Sequence, residues 1–143
     1  MKYSLILVSL LLTFLFSSCK KEAGQGGRAT IKGKVFAEYW DKAFNLKADS
    51  SFAPDVDVYI IYGNEASYGN RTKASYDGTY EFKYLQKGNY KVYVYSRDST
   101  GKAESLLTGN PAYLYNPDIA VIKSIEITER KQTNEVDEIK ILK

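Results

Sequence analysis

Chemistry has few residues to work with in this chain: its 143 residues include no histidine and one cysteine, Cys19. Without imidazole, Ser–His–Asp and Cys–His catalysis are excluded, and a single thiol leaves the usual zinc ligand sets incomplete. General acid–base work would fall to Asp, Glu, Lys and Tyr. Asp55 and Asp57 lie two apart on a strand-like segment and could share a face, but that spacing is more simply a solvated edge. The stretch DSTG at 98–101 opens like a calcium loop, lacks the later ligands, and reads as a turn. No glycine-rich phosphate cradle is present, so the sequence predicts a non-enzymatic protein without metal or cofactor. Binding is the better use of its composition, because there are 13 tyrosines, 12 of them after residue 18. A tyrosine ring offers a rigid apolar face and a hydroxyl together.

Cys19 has a distinctive setting. Lys2 supplies a positive start, residues 5–16 are uncharged and apolar, and the small pair Ser17-Ser18 precedes the thiol. That is the layout of an export signal, with an apolar run too short to cross a bilayer as a stable helix. The arrangement resembles the lipobox of bacterial lipoproteins, which implies cleavage before Cys19 and a thioether-linked lipid on its sulfur. The following CKKE is similar to the start of many Bacteroidota lipoproteins and carries no aspartate at its second position. The resemblance places the protein at the outer membrane, held by its N-terminal lipid, with the leaflet face open. Residues 1–18 are then a leader, 19–28 a lipidated tether, and 29–143 a single domain. No disulfide is available, so this domain must stand on packing alone. The formal net charge is only +3, with both signs scattered, which argues against a nucleic-acid surface.

The elements that would position the tyrosines are strands. Residues 23–28, AGQGGR, read as a flexible spacer, and order is expected from Ala29. Ile31, Gly33, Val35 and Ala37 alternate with polar neighbours at the period of a half-buried strand. Residues 39–54 are aromatic but irregular, and Trp40, Phe44 and Phe52 are expected to fold back and close one end of the core. In DVDVYIIYG, 55–63, inward Val56, Val58 and Ile60 turn Tyr59 and Ile61 outward. Asp77-Gly78 and Gly88-Asn89 supply turns around two more strands, with Tyr80, Phe82, Leu85, Tyr90, Val92 and Val94 inward. Leu85 breaks parity, which predicts a bulge. Residues 97–118 form the longest irregular stretch. Two closing strands place Ile125, Ile127, Ile139 and Ile141 inward, joined by TERKQTN as a polar hairpin loop. No helical period is present. Six or seven short strands predict an all-β antiparallel sandwich.

The order IKGKV, PDVDVYI, then YDGTYEFKYLQKGNYKVYV resembles the carboxypeptidase regulatory-like, or transthyretin-like (prealbumin-like), domains. Asp77, Gly78, Tyr80, Phe82, Leu85, Gly88, Tyr90, Val92 and Val94 fit the pattern position by position. The resemblance covers residues 29–96 and implies a Greek-key antiparallel β-sandwich of about seven strands; its matching residues are fold determinants and imply no activity. Related collagen-adhesin domains form a Lys–Asn isopeptide bond with the help of a buried carboxylate. Lys32 or Lys34 and Asn134 are the corresponding pair, but the carboxylate position is Val94, so no such bond is expected.

If Tyr90, Val92 and Val94 point inward, Tyr93 and Tyr95 point outward and join Tyr59 in an aromatic patch. The loop leucines and tyrosines, Tyr113 and Tyr115 among them, would either extend this patch or cover it, and cover is favoured. The sequence thus predicts a tethered outer-membrane binding or scaffold module for envelope protein partners. A carbohydrate-binding accessory that holds glycans on Tyr59, Tyr93, Tyr95, Tyr113 or Tyr115 is the second reading, and a hydrolase a distant third.

Overall fold

The alternation centred on residues 31–37 is the middle of one long strand, β1, which runs Gln25–Trp40. A computed structural model describes residues 22–100 and 118–143. After β1 follow β2 (Lys47–Phe52), β3 (Asp57–Tyr62), β4 (Asn70–Lys73), β5 (Thr79–Leu85), β6 (Gly88–Arg97), β7 (Asp118–Ile127), β8 (Thr133–Glu135) and β9 (Ile139–Leu142). The described residues contain no helix.

β1 is the spine of the first sheet. Its first half pairs antiparallel with β5 and its second half with β2. Its other edge pairs with β8 and then β9, both parallel. Hydrogen bonds sort these neighbours by residue parity: Val35 donates to the Gly78 carbonyl and accepts from Ala53, whereas Thr30 and Trp40 donate to Gln132 and Lys143. The second sheet is antiparallel throughout, in the order β4-β3-β6-β7.

The two sheets enclose one core. Ile31 and Val35 from β1, Tyr80, Phe82 and Leu85 from β5, and Ile139 and Ile141 from β9 meet Val58 and Ile60 from β3, Tyr90, Val92 and Val94 from β6, and Ile127. Each of these is buried, as the period of two requires; Val56 and Ile125 are half-buried against them. Gly33 continues the inward face of β1, and its missing side chain leaves room for the Tyr80 ring directly opposite. The parity break at Leu85 is a bulge: Tyr84 has φ 60°, and both Gln25 and Ala29 register against Leu85.

Four expectations are corrected. There are nine strands among the described residues, and β8 and β9 run parallel to β1, so the sandwich is not purely antiparallel. Residues 128–132 join strands of different sheets and are not a hairpin loop. Order begins before Ala29, because Gln25 to Arg28 already belong to β1. The Tyr90 hydroxyl also accepts from the Gly24 amide at 3.0 Å and donates to the Gln86 carbonyl at 2.7 Å, and the Gln86 amide donates to Gly24. The last part of the expected spacer is therefore fastened to the turn between β5 and β6. Finally, Trp40 and Phe52 lie on the outer face of the first sheet. Phe52 pairs in register with Phe36 and meets its ring edge-on at 5.6 Å, and Trp40 donates to Glu38. Phe44 instead lies under the Arg97 guanidinium, which donates to the Trp40, Asp41 and Lys42 carbonyls. Hydrogen bonding of β2 to β1 imposed a strand parity that these aromatics could not show in isolation.

Candidate functional site

Register across the second sheet builds a continuous row on its outer face. Arg71 of β4 stands opposite Tyr59 of β3, Tyr59 opposite Tyr93 of β6, and Tyr93 opposite Ile122 of β7. One step along, Tyr95 stands opposite Ala120. Tyr68, from the connection between β3 and β4, adds a further ring. Tyr59 is the centre: it stacks on Tyr93 at 5.0 Å with planes 13° apart, and meets Tyr68 and Tyr95 edge-on at 5.1 and 5.6 Å. Tyr93 and Tyr95 are also edge-on, at 5.5 Å. Such pairs contribute about 0.5–1.5 kcal/mol each beyond area burial, so the rings form one rigid unit.

The cluster is layered. Tyr93 is only 8% exposed, whereas Tyr68, Tyr95 and Ile122 are each about half exposed. Burial, with smaller contributions from hydrogen bonding to Tyr95 and the nearby phenols, pushes the Tyr93 phenol up to about 12. Tyr93 is thus a floor, and Tyr68, Tyr95, Ile122 and Arg71 are what a ligand would touch. Sequence reasoning placed Tyr59, Tyr93 and Tyr95 on this face, and the structure brings the three together. Tyr93 departs from the expectation in being covered. Tyr113, Tyr115 and Cys19 lie outside the described residues, as does most of the 97–118 stretch expected to cover the patch. Tyr68 was missed because its segment, NEASYGN, has no period; Ile122 was readable, since its parity is opposite to that of Ile125 and Ile127.

The other candidates separate. Asp55 is exposed with φ 58°, while Asp57 is half-buried in β3 opposite Lys73; they form no paired-carboxylate cleft. Asp98 is buried and its Oδ1 accepts from the Thr100 amide and hydroxyl, while Gly101, the end of the expected turn, lies outside the described residues. Lys32 forms an ion pair with Glu135 at 2.6 Å, and Lys34 one with Asp77 at 3.4 Å. Asn134 is engaged by Gln132 and the Glu126 carbonyl, and Val94 is fully buried, so neither lysine is poised to react with Asn134. Among the described residues no group of His, Cys, Asp and Glu could hold a metal, and no helix is long and apolar enough to cross a membrane.

No protein-family model matches the sequence, and no curated protein matches it. Among solved structures the chain is similar to a "putative carbohydrate binding protein" from Pseudomonas aeruginosa, at 13% identity and a TM-score of 0.48, covering 82% of this chain and 91% of that one. It is also similar to (S)-allantoin synthase, at 11% identity and a TM-score of 0.38, covering 77% of this chain and 41% of that one. Likeness at this level identifies no function.

Proposed function

We propose that the protein is a non-enzymatic lipoprotein of the outer membrane, a transthyretin-like β-sandwich with Greek-key connections, fastened through Cys19. Its role is to hold an envelope protein partner on the outer face of the β4-β3-β6-β7 sheet. The observation that carries this reading is the four-tyrosine cluster, flanked by Arg71 and Ile122 across a four-stranded surface. Tyr and Arg around an apolar centre are the residues that dominate protein–protein hot spots, and a pre-packed cluster loses little side-chain freedom on binding. Glycan capture needs an open ring face. Tyr59 and Tyr93 turn faces to each other, so that reading rests on the half-exposed Tyr68 and Tyr95.

Two experiments test the proposal. Labelled palmitate should enter the expressed protein and be lost in Cys19→Ala; no incorporation in the native chain removes the anchor. Every described strand lies after Lys20, so the chain beginning there keeps all of them and can be immobilised against envelope extract. A partner protein should be retained by this chain and by Tyr76→Ala, whose ring is 93% exposed elsewhere, but not by Tyr95→Ala with Ile122→Ser. Equal retention by both variants refutes the binding face. Glycan-array binding that Tyr95→Ala abolishes would replace a protein partner with a sugar.

A further inference from the structure

A second site stands apart from the tyrosine face. At the start of β1, between the β5–β6 turn and the β7–β8 connection, lies a cavity of about 750 Å³. Four cations line it, Arg28, Lys87, Arg130 and Lys131, and no carboxylate does. They come from three separate stretches of chain, so the fold has gathered them; the scattered charge of the sequence did not suggest the cluster.

Their pairing is unlike that of four lysines elsewhere on the domain. Lys32, Lys34, Lys47 and Lys83 each have a carboxylate partner. Among the described residues none of the four cavity cations has one. Glu129 precedes Arg130 in the chain but is not part of the lining. Gly26 and Gly27 leave one wall as bare backbone, and a Cβ at Gly27 would overlap the Leu85 carbonyl. The volume is far larger than a simple inorganic anion requires. Two guanidinium forks and two ammonium groups around such a space suit phosphate oxygens, which accept paired N–H bonds from Arg and a point charge from Lys.

We propose that this cavity binds a phosphate-bearing ligand. Two sources share that chemistry: the headgroup of an anionic lipid and a soluble phosphate ester. The position of the cavity bears on the first. Gly24 and Gln25 are hydrogen-bonded to Tyr90 and Gln86 beside the cavity, so the chain reaches the domain at this end. Cys19 is three residues before Glu22, and the covalent chain alone keeps it within about 11 Å of that residue. If the thiol carries a lipid, as the proposed function holds, this end of the domain is held close to the headgroup layer; phosphate binding itself does not rest on that reading.

The test uses the unlipidated chain beginning at Lys20, followed by amide NMR. Inorganic pyrophosphate should shift the resonances of Arg28, Gln86, Lys87 and Lys131 saturably and leave those of the tyrosine face in place. Arg130→Gln with Lys131→Gln, both exposed, should weaken binding on the order of tenfold, in line with the loss of two interacting charges. Lys42→Gln with Lys73→Gln, exposed elsewhere, should not. Flotation with phosphatidylcholine vesicles containing phosphatidylglycerol, competed by pyrophosphate, assigns the headgroup; pyrophosphate binding without flotation assigns a soluble ester. The proposal is overturned if neither probe binds saturably, or if the two double variants lose binding equally. Failure of palmitate labelling would remove the anchor and leave the pyrophosphate result standing.

Discussion

Replacing Gly33 by alanine would place a methyl carbon 2.5 Å from the Tyr80 hydroxyl oxygen, 2.8 Å from its Cζ and 3.0 Å from its Cε1. These separations fall about 0.5–1.5 Å inside the optimum for contacting heavy atoms. No positive φ applies at Gly33, so alanine meets no backbone strain there and the cost is one of packing alone. Tyr80 is 1% exposed, with Phe82 beside it at 6.2 Å, so its ring has little room to retreat. Overpacking of this kind costs about 2–3 kcal/mol, offset by about 0.4–1 kcal/mol because alanine narrows the unfolded ensemble. The expected net loss is about 1–2 kcal/mol, a fall in Tm of roughly 3–10 °C for a domain of this size. Among the described residues the Tyr80 hydroxyl has no hydrogen-bond partner, and burial raises its pKa. Tyr80→Phe should therefore be neutral or stabilising by about 1 kcal/mol. With the nearest atom gone, Gly33→Ala should cost about 1 kcal/mol less in the Tyr80→Phe background, a coupling that urea or thermal unfolding of the four proteins in a double-mutant cycle resolves. An equal cost in both backgrounds, or a stabilising Gly33→Ala, would refute the close packing of Tyr80 on Gly33.

Tyr90→Phe removes the hydroxyl that joins Gly24 to Gln86. It should cost about 1 kcal/mol and speed amide exchange at Gly24; unchanged exchange there would show that residues 22–24 are held by other contacts. Arg97→Leu deletes the bonds to the Trp40, Asp41 and Lys42 carbonyls and the contact with Phe44 at 4.3 Å. A local opening of residues 41–46 is expected, seen as tryptic cleavage at Lys42 without a matching drop in Tm; resistance equal to the native chain would contradict it. Burial also raises the phenols of Tyr62, Tyr80 and Tyr90, so alkaline titration followed by phenolate absorbance should show several late groups, of which the one at about 12 is absent in Tyr93→Phe. Tyr93 is neutral in its protonated form and its folded pKa exceeds the usual 10.0, so its contribution is intact below 10 and is lost as pH rises from about 10 to about 12. A Tyr93→Phe chain whose stability falls equally over that window would refute this assignment.

Within the described residues, the two candidate surfaces depend on β1 in different ways. Its inward face, Ile31, Val35 and Ala37, anchors the core on which the tyrosine-bearing sheet packs. Its start carries Arg28 into the basic cavity and lies beside the segment that leads back to Cys19. The proposed partner capture and the proposed anion binding should thus be alterable independently, since the first would use the outer face of β3, β6 and β7 and the second only the end of the first sheet.

Much of the core was legible in the residue order because a strand's side chains alternate whatever it pairs with. Val58 and Ile60, Tyr90, Val92 and Val94, and Ile139 and Ile141 are inward by local period alone, and that same parity turned Tyr59, Tyr93 and Tyr95 outward. Turn chemistry was equally local: Asp77-Gly78 forms its turn with Gly78 at φ 74° and Asp77 accepting from Thr79. Pairing is a property of distant segments and left no such mark. That β8 and β9 run parallel along β1, that residues 25–28 are strand, and that Trp40 and Phe52 face outward follow from hydrogen bonds between residues far apart in the chain. The layering of the tyrosines, with Tyr93 as floor, and the gathering of Arg28, Lys87, Arg130 and Lys131 arise in the same way. Charge and ring contacts across a fold depend on three-dimensional separation, and a linear spacing does not contain it.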